Sequence, residues 1–191
     1  FDIDNIAYFY DLNTKISYKL NHKNNIYLSG YIGRDVFSIS NSFEKTYDNT
    51  VVNFRWNHLF SDQLFSNLSL IYSDYYYGLD LNFVGFEWNS GIQNMNIKYD
   101  FKQYINDRYK LEYGVHSTYY RFNPGVSSPN GPDSGITREA LTTQFAFETA
   151  FYIDINQPLT ERLTIHSDLR LRSSLRLCPA YHTFHKHANT F

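Results

Sequence analysis

The stretch Ala7-Tyr8-Phe9-Tyr10-Asp11-Leu12-Asn13-Thr14-Lys15-Ile16-Ser17-Tyr18-Lys19-Leu20 decides the fold class. Tyr8, Tyr10, Leu12, Ile16, Tyr18 and Leu20 fall on one parity, with Thr14 among them; Asp11, Asn13, Lys15, Ser17 and Lys19 fall on the other. Successive side chains of an extended chain point to opposite faces, so this alternation writes a strand with one greasy and one wet face. It runs more than twice the ~5–6 residues of an ordinary globular strand.

The same rhythm returns along the chain. Ile26, Leu28, Ile32 and Val36 share a face against Tyr27, Ser29, Tyr31 and Asp35. Val52, Phe54, Trp56 and Phe60 alternate with Asn53, Arg55 and Asn57, and Leu64, Leu68, Leu70, Tyr72 and Tyr76 with Asn67, Ser69 and Ser73. From Met95 the greasy set moves to odd numbers: Met95, Ile97, Tyr99 and Phe101, then Tyr109, Leu111, Tyr113, Val115 and Tyr119. Phe145, Phe147, Phe151, Ile153 and Ile155 form a seventh set, and Leu163, Ile165, Leu169 and Leu171 an eighth.

About eight strands follow, joined up and down in four consecutive hairpins over residues 1–171. Short polar turns are expected at 21–25, 61–63, 105–108 and 157–162, and longer loops at about 39–49, 77–91 and 123–143. Short turns at one end and long loops at the other are the pattern of antiparallel transmembrane barrels. Aromatics near the expected strand ends, such as Tyr8, Tyr10, Tyr18, Phe60, Tyr76, Phe101, Tyr104 and Tyr120, suit interfacial girdles. The fold class expected is therefore all-β, an antiparallel up-and-down transmembrane β-barrel with outer-membrane lipid around it.

Composition agrees. The 191 residues are 42 % hydrophobic, with 18 Tyr and 16 Phe making most of a 19 % aromatic share. Mean hydropathy is −0.47, and no stretch approaches the ~20 apolar residues of a spanning helix. A net charge of −2 leaves no electrostatic footprint for nucleic acid. Cys178 is the single cysteine, so no internal disulfide framework exists. The opening Phe1-Asp-Ile-Asp-Asn-Ile has neither the charged nor the apolar region of a secretion signal, and a processed product or a fragment is expected.

Tyr31-Ile-Gly-Arg-Asp-Val-Phe37, Phe54-Arg-Trp-Asn-His-Leu-Phe60, Ser73-Asp-Tyr-Tyr-Tyr-Gly78 and Phe86-Glu-Trp-Asn-Ser-Gly91 carry a resemblance to a family. Together with the rhythm of residues 7–171 they resemble the barrel of TonB-dependent outer-membrane receptors of Gram-negative bacteria. The resemblance implies a 22-stranded barrel, an N-terminal plug, a box that contacts TonB, and import of a siderophore, cobalamin or glycan. With about eight strands, no plug and no such box, the chain reads as a barrel segment. TonB and the plug would then be partners only through the full-length receptor, with the imported solute as the further partner.

Residues 172–191 break the rhythm and read as an irregular, aberrant or frameshifted tail. Its His182, His185 and His187 have chelating spacing, but no Cys or carboxylate completes a set, so no metal site and no cofactor are expected. No nucleophile elbow, phosphate loop or zinc-protease motif occurs; an enzyme is not expected and no catalytic residue is assigned. The substrate-binding candidates are Phe83, Phe86 and Trp88, placed on the expected 77–91 loop, where aromatic rings can stack on a sugar or an aromatic chelator. The alternative is a small self-contained eight-stranded barrel with a structural or adhesive role, and after it a lipid-modifying outer-membrane enzyme.

Overall fold

A computed structural model describes residues 5–40, 42–106, 109–131, 134–160 and 163–177. They form one antiparallel sheet of β1 (Asn5–Asn21), β2 (Asn24–Ile39), β3 (Phe43–Ser61), β4 (Leu64–Leu81), β5 (Phe86–Tyr104), β6 (Lys110–Pro129), β7 (Glu139–Ala140), β8 (Gln144–Thr160) and β9 (Leu163–Leu177). Every long strand pairs with its chain neighbour, and the two-residue β7 pairs with β6 beside the β6–β8 ladder. One 3₁₀ turn, Asn82–Val84, joins β4 to β5. The order β1 to β9 is linear, and β1 and β9 do not pair with each other.

Register turns the sequence alternation into two faces. Val52, Tyr72, Met95, Tyr119 and Phe147 stand opposite one another across five consecutive long strands. Four residues further along, Trp56, Leu68, Tyr99, Val115, Phe151 and Leu171 form a second such row. These side chains lie on one side of the sheet, and Asn94, Asn96, Lys98 and Asp100 with their partners lie on the other.

The energetics of this arrangement are unusual. Among the described residues only Val36 and Ala150 are buried hydrophobics, whereas Met95, Ile97 and Phe151 remain 58 %, 50 % and 58 % exposed with strands on both sides. Cross-strand pairs and ladder hydrogen bonds hold the sheet, but its apolar face has no cover within the chain. A globular domain buries such a face against another layer; here the second layer must come from outside.

The apolar face is edged with rings at the short-turn end. Trp56 Nε1 donates to Asn24 Oδ1 at 2.9 Å, and the His58 ring lies edge-on to Phe60 with centroids 4.4 Å apart. Phe101 stacks on Tyr113 at 5.2 Å and meets Tyr99 at 4.4 Å. An apolar body with a polar tip suits a membrane–water boundary.

Three sequence expectations need correction. The 39–49 and 77–91 loops are hairpin ends: β2 reaches Ile39 and β3 starts at Phe43, while β4 reaches Leu81 and β5 starts at Phe86. Polar and aromatic residues occupy both faces there, so alternation fades while the ladder continues, as in Glu44 opposite Asp80 and Tyr47 opposite Tyr77. The connection after β6 is the one that stays long. The final strand also passes Leu171, with Leu175 opposite Phe147 and Leu177 opposite Phe145; the boundary at 171 placed it six residues short. His182, His185 and His187 lie outside the described residues.

Candidate functional site

The loop-side end of the polar face is aromatic. Two adjacent cross-strand rows build it: Phe37, Lys45, Leu79, Trp88 and Ser127, then Asp35, Tyr47, Tyr77 and Ser90. The Tyr47 and Tyr77 ring centroids are 5.3 Å apart at 46°. Lys45 Nζ sits 4.9 Å from the Tyr47 centroid and 5.8 Å from the Tyr77 centroid, within the ~6 Å reach of a cation–π contact. Phe37 meets Phe43 edge-on at 6.3 Å.

The structure separates the three expected binding residues. Phe83 is on the 3₁₀ turn and 70 % exposed. Phe86 opens β5 opposite Leu81 and Pro129, and Trp88 lies two residues further on, opposite Leu79 and Ser127. The Trp88 indole lies over Gly125, where φ is +156° and an added Cβ would collide with the ring. Trp88 is thus fixed by packing, while Phe83 projects from the turn. Tyr47, Tyr77 and Lys45 complete the ledge that Trp88 joins. Their alternation does not show them, because 39–49 and 77–91 both read as loops.

Deeper on the polar face, hydrogen bonds link neighbouring strands. Asp100 accepts from Tyr152 Oη at 2.9 Å and lies 2.7 Å from His116 Nε2. Ser73 Oγ donates to Asn94 Oδ1 at 3.1 Å, and Arg172 Nη2 reaches both Glu148 carboxylate oxygens at 2.7 and 2.8 Å. Such a wet lattice can line a passage or seat a polar insert. No group of three or more potential ligands could hold a metal among the described residues.

At the outermost end of the other face, Glu44, Asp80 and Glu87 follow one another across β3, β4 and β5. Burial, and then the charges of Glu87 and Glu44, push the Asp80 carboxyl above the usual carboxylate range. Asp80 is eight residues past Tyr72, about 27 Å along an extended strand, and so beyond the apolar belt.

No family model matches the chain, and no curated protein does. Solved structures do. The copper transporter OprC superposes with a TM-score of 0.70 at 11 % identity, over 87 % of this chain and 28 % of that one. BauA, the ferric preacinetobactin receptor from Acinetobacter baumannii, superposes with a TM-score of 0.65 at 12 % identity, over 91 % of this chain and 34 % of that one. The chain therefore spans about a third or less of these proteins, and at such identities the likeness is one of fold.

Proposed function

We propose that this chain is a section of the β-barrel of a TonB-dependent outer-membrane receptor and serves solute uptake rather than catalysis. The carrying observation is the pair of faces without a core. Strands of 15 to 20 residues exceed the ~9–11 that cross a bilayer, and one face is an uncovered apolar belt with an aromatic edge. Lipid is the cover that such a face fits. The fold likeness to OprC and BauA supports a receptor-type barrel. The open β1 and β9 edges support a section of a wider wall over a self-contained small barrel, because a lipid-facing wall must close on itself.

In this reading the polar face looks inward toward a plug, and the ledge around Tyr47, Tyr77 and Trp88 lies at the outer mouth. Planar rings with an ammonium between them suit a sugar ring or an aromatic, anionic chelator. The test is growth of an uptake-deficient Gram-negative host expressing the full-length receptor that contains this section, on panels of ferric siderophores, cobalamin and oligosaccharides, with and without TonB. The expected result is TonB-dependent growth on one class, with Tyr77→Ala raising the half-saturating concentration about tenfold while outer-membrane abundance is unchanged. Recovery of the protein in the soluble fraction would overturn the reading.

A further inference from the structure

On the apolar face, one step beyond the last apolar row, the surface opens into a polar notch of about 390 Å³. Thr50, Asp74, Gln93 and Arg121 form the row directly past Val52, Tyr72, Met95 and Tyr119. Asp48 and Asn123 lie in the next row, where Tyr76 supplies a ring and Gly91 leaves the floor open. A Cβ at Gly91 would come 2.7 Å from the Tyr75 carbonyl oxygen, so the floor is bare backbone at a register shift between β5 and β6.

The polar groups are organised across strands. Gln93 Nε2 donates to Asp74 Oδ2 at 2.9 Å, Tyr72 Oη donates to the same oxygen at 3.3 Å, and Arg121 Nη1 donates to Gln93 Oε1 at 3.1 Å. Arg34 Nε lies 3.4 Å from Asp48 Oδ1. The lining carries two carboxylates and one guanidinium, and Arg34 pairs with Asp48 from beside it, so the notch has no net pull on a bare phosphate. Planar carboxylate, amide and guanidinium groups beside an aromatic ring match vicinal hydroxyls, which both donate and accept. The volume lies within the ~300–1,000 Å³ of small-molecule sites.

We infer that this notch holds a sugar ring of an outer-leaflet glycolipid whose acyl chains lie along the apolar belt below it. The inference rests on the membrane reading of this face. It concerns the outward side of the wall, whereas the aromatic ledge belongs to the polar side. One residue pair advances a strand by about 6.8 Å, so a lipid anchored on the belt presents its head group at the level of Asp74 and Arg121.

The protein is extracted from outer membranes in mild detergent, and bound rough lipopolysaccharide is counted by native mass spectrometry. The combined Asp74→Ala and Arg121→Ala variant is compared with Thr50→Trp, which fills the notch and spares its hydrogen bonds. Unchanged abundance in the outer membrane and an unchanged limited-proteolysis pattern certify that each is folded. Retention falling at least tenfold in both, with phosphatidylglycerol unchanged, is the expected result. Equal retention in a folded variant overturns the site. Displacement by phosphatidylglycerol, or free core oligosaccharide binding as tightly as the anchored lipid, overturns the glycolipid assignment. A protein that never reaches the outer membrane overturns the membrane reading, and the inference with it.

Discussion

Trp88 keeps its place because residue 125 lacks a side chain. Gly125 combines φ +156° with an indole lying over its Cα, so Gly125→Ala meets both a backbone and a steric penalty. Overpacking of this kind costs about 1–3 kcal/mol. The expected outcome is a lower urea midpoint and red-shifted Trp88 emission, read in a Trp56→Phe background; an unchanged spectrum would mean that the ring packs elsewhere. Asp80 makes a pH-dependent claim at the same scale. Its carboxyl titrates higher in the folded chain than the ~3.9 of an unfolded one. Its contribution is therefore fully present below the unfolded value and lost as pH rises through the folded one. Hydrogen-exchange protection around Leu79–Leu81, corrected for intrinsic rates, should fall as pH rises through that interval. Asp80→Asn should remove the dependence and raise protection at neutral pH; a variant that titrates like the parent would place the effect on Glu44 or Glu87.

Strand identity was legible wherever the two faces of the sheet differ in polarity, and illegible where that contrast stops. Ile97 and Lys98 differ because their surroundings differ, which is why β5 could be read from Met95 to Phe101. Past the belt, Glu44, Lys45, Asp48 and Asn49 all meet water, so period-2 alternation has no cause, yet Lys45 still pairs with Leu79 and Asn49 with Tyr75. The ledge was half visible for the same reason: Trp88 and Phe86 stand out by composition, whereas Tyr47 and Tyr77 meet only through register. Amides of 43–49 and 75–81 should exchange slowly, within about tenfold of those at 52–56, because ladder bonds rather than burial protect them. Exchange as fast as in a flexible loop would restore 39–49 and 77–91 as loops. Pairing likewise carries β9 through Arg172–Leu177: Arg172 meets Glu148 although Ser173 and Ser174 dilute the apolar pattern.

At the scale of the whole sheet, the unmet demands are two edges and one apolar face. Alternation shows that two faces exist but not how the sheet closes, and no residue pattern in β1 or β9 declares a partner. Every residue of both is exposed, and each strand presents unpaired backbone groups at its outer edge, the usual template for pairing with another chain. Lipid can cover the apolar face but cannot satisfy an edge, since hydrocarbon offers no hydrogen bonds. The isolated 191-residue chain, refolded in detergent, should therefore form oligomers joined edge to edge. Light scattering should show a distribution of sizes, and the gel band should run the same before and after boiling. Cysteines at Leu12 and Leu171, with Cys178→Ser, should trap disulfide-linked dimers through these edges. If the chain is instead monomeric and shifts only on boiling, β1 and β9 have closed on each other, and the self-contained small barrel becomes the better account of the same two faces.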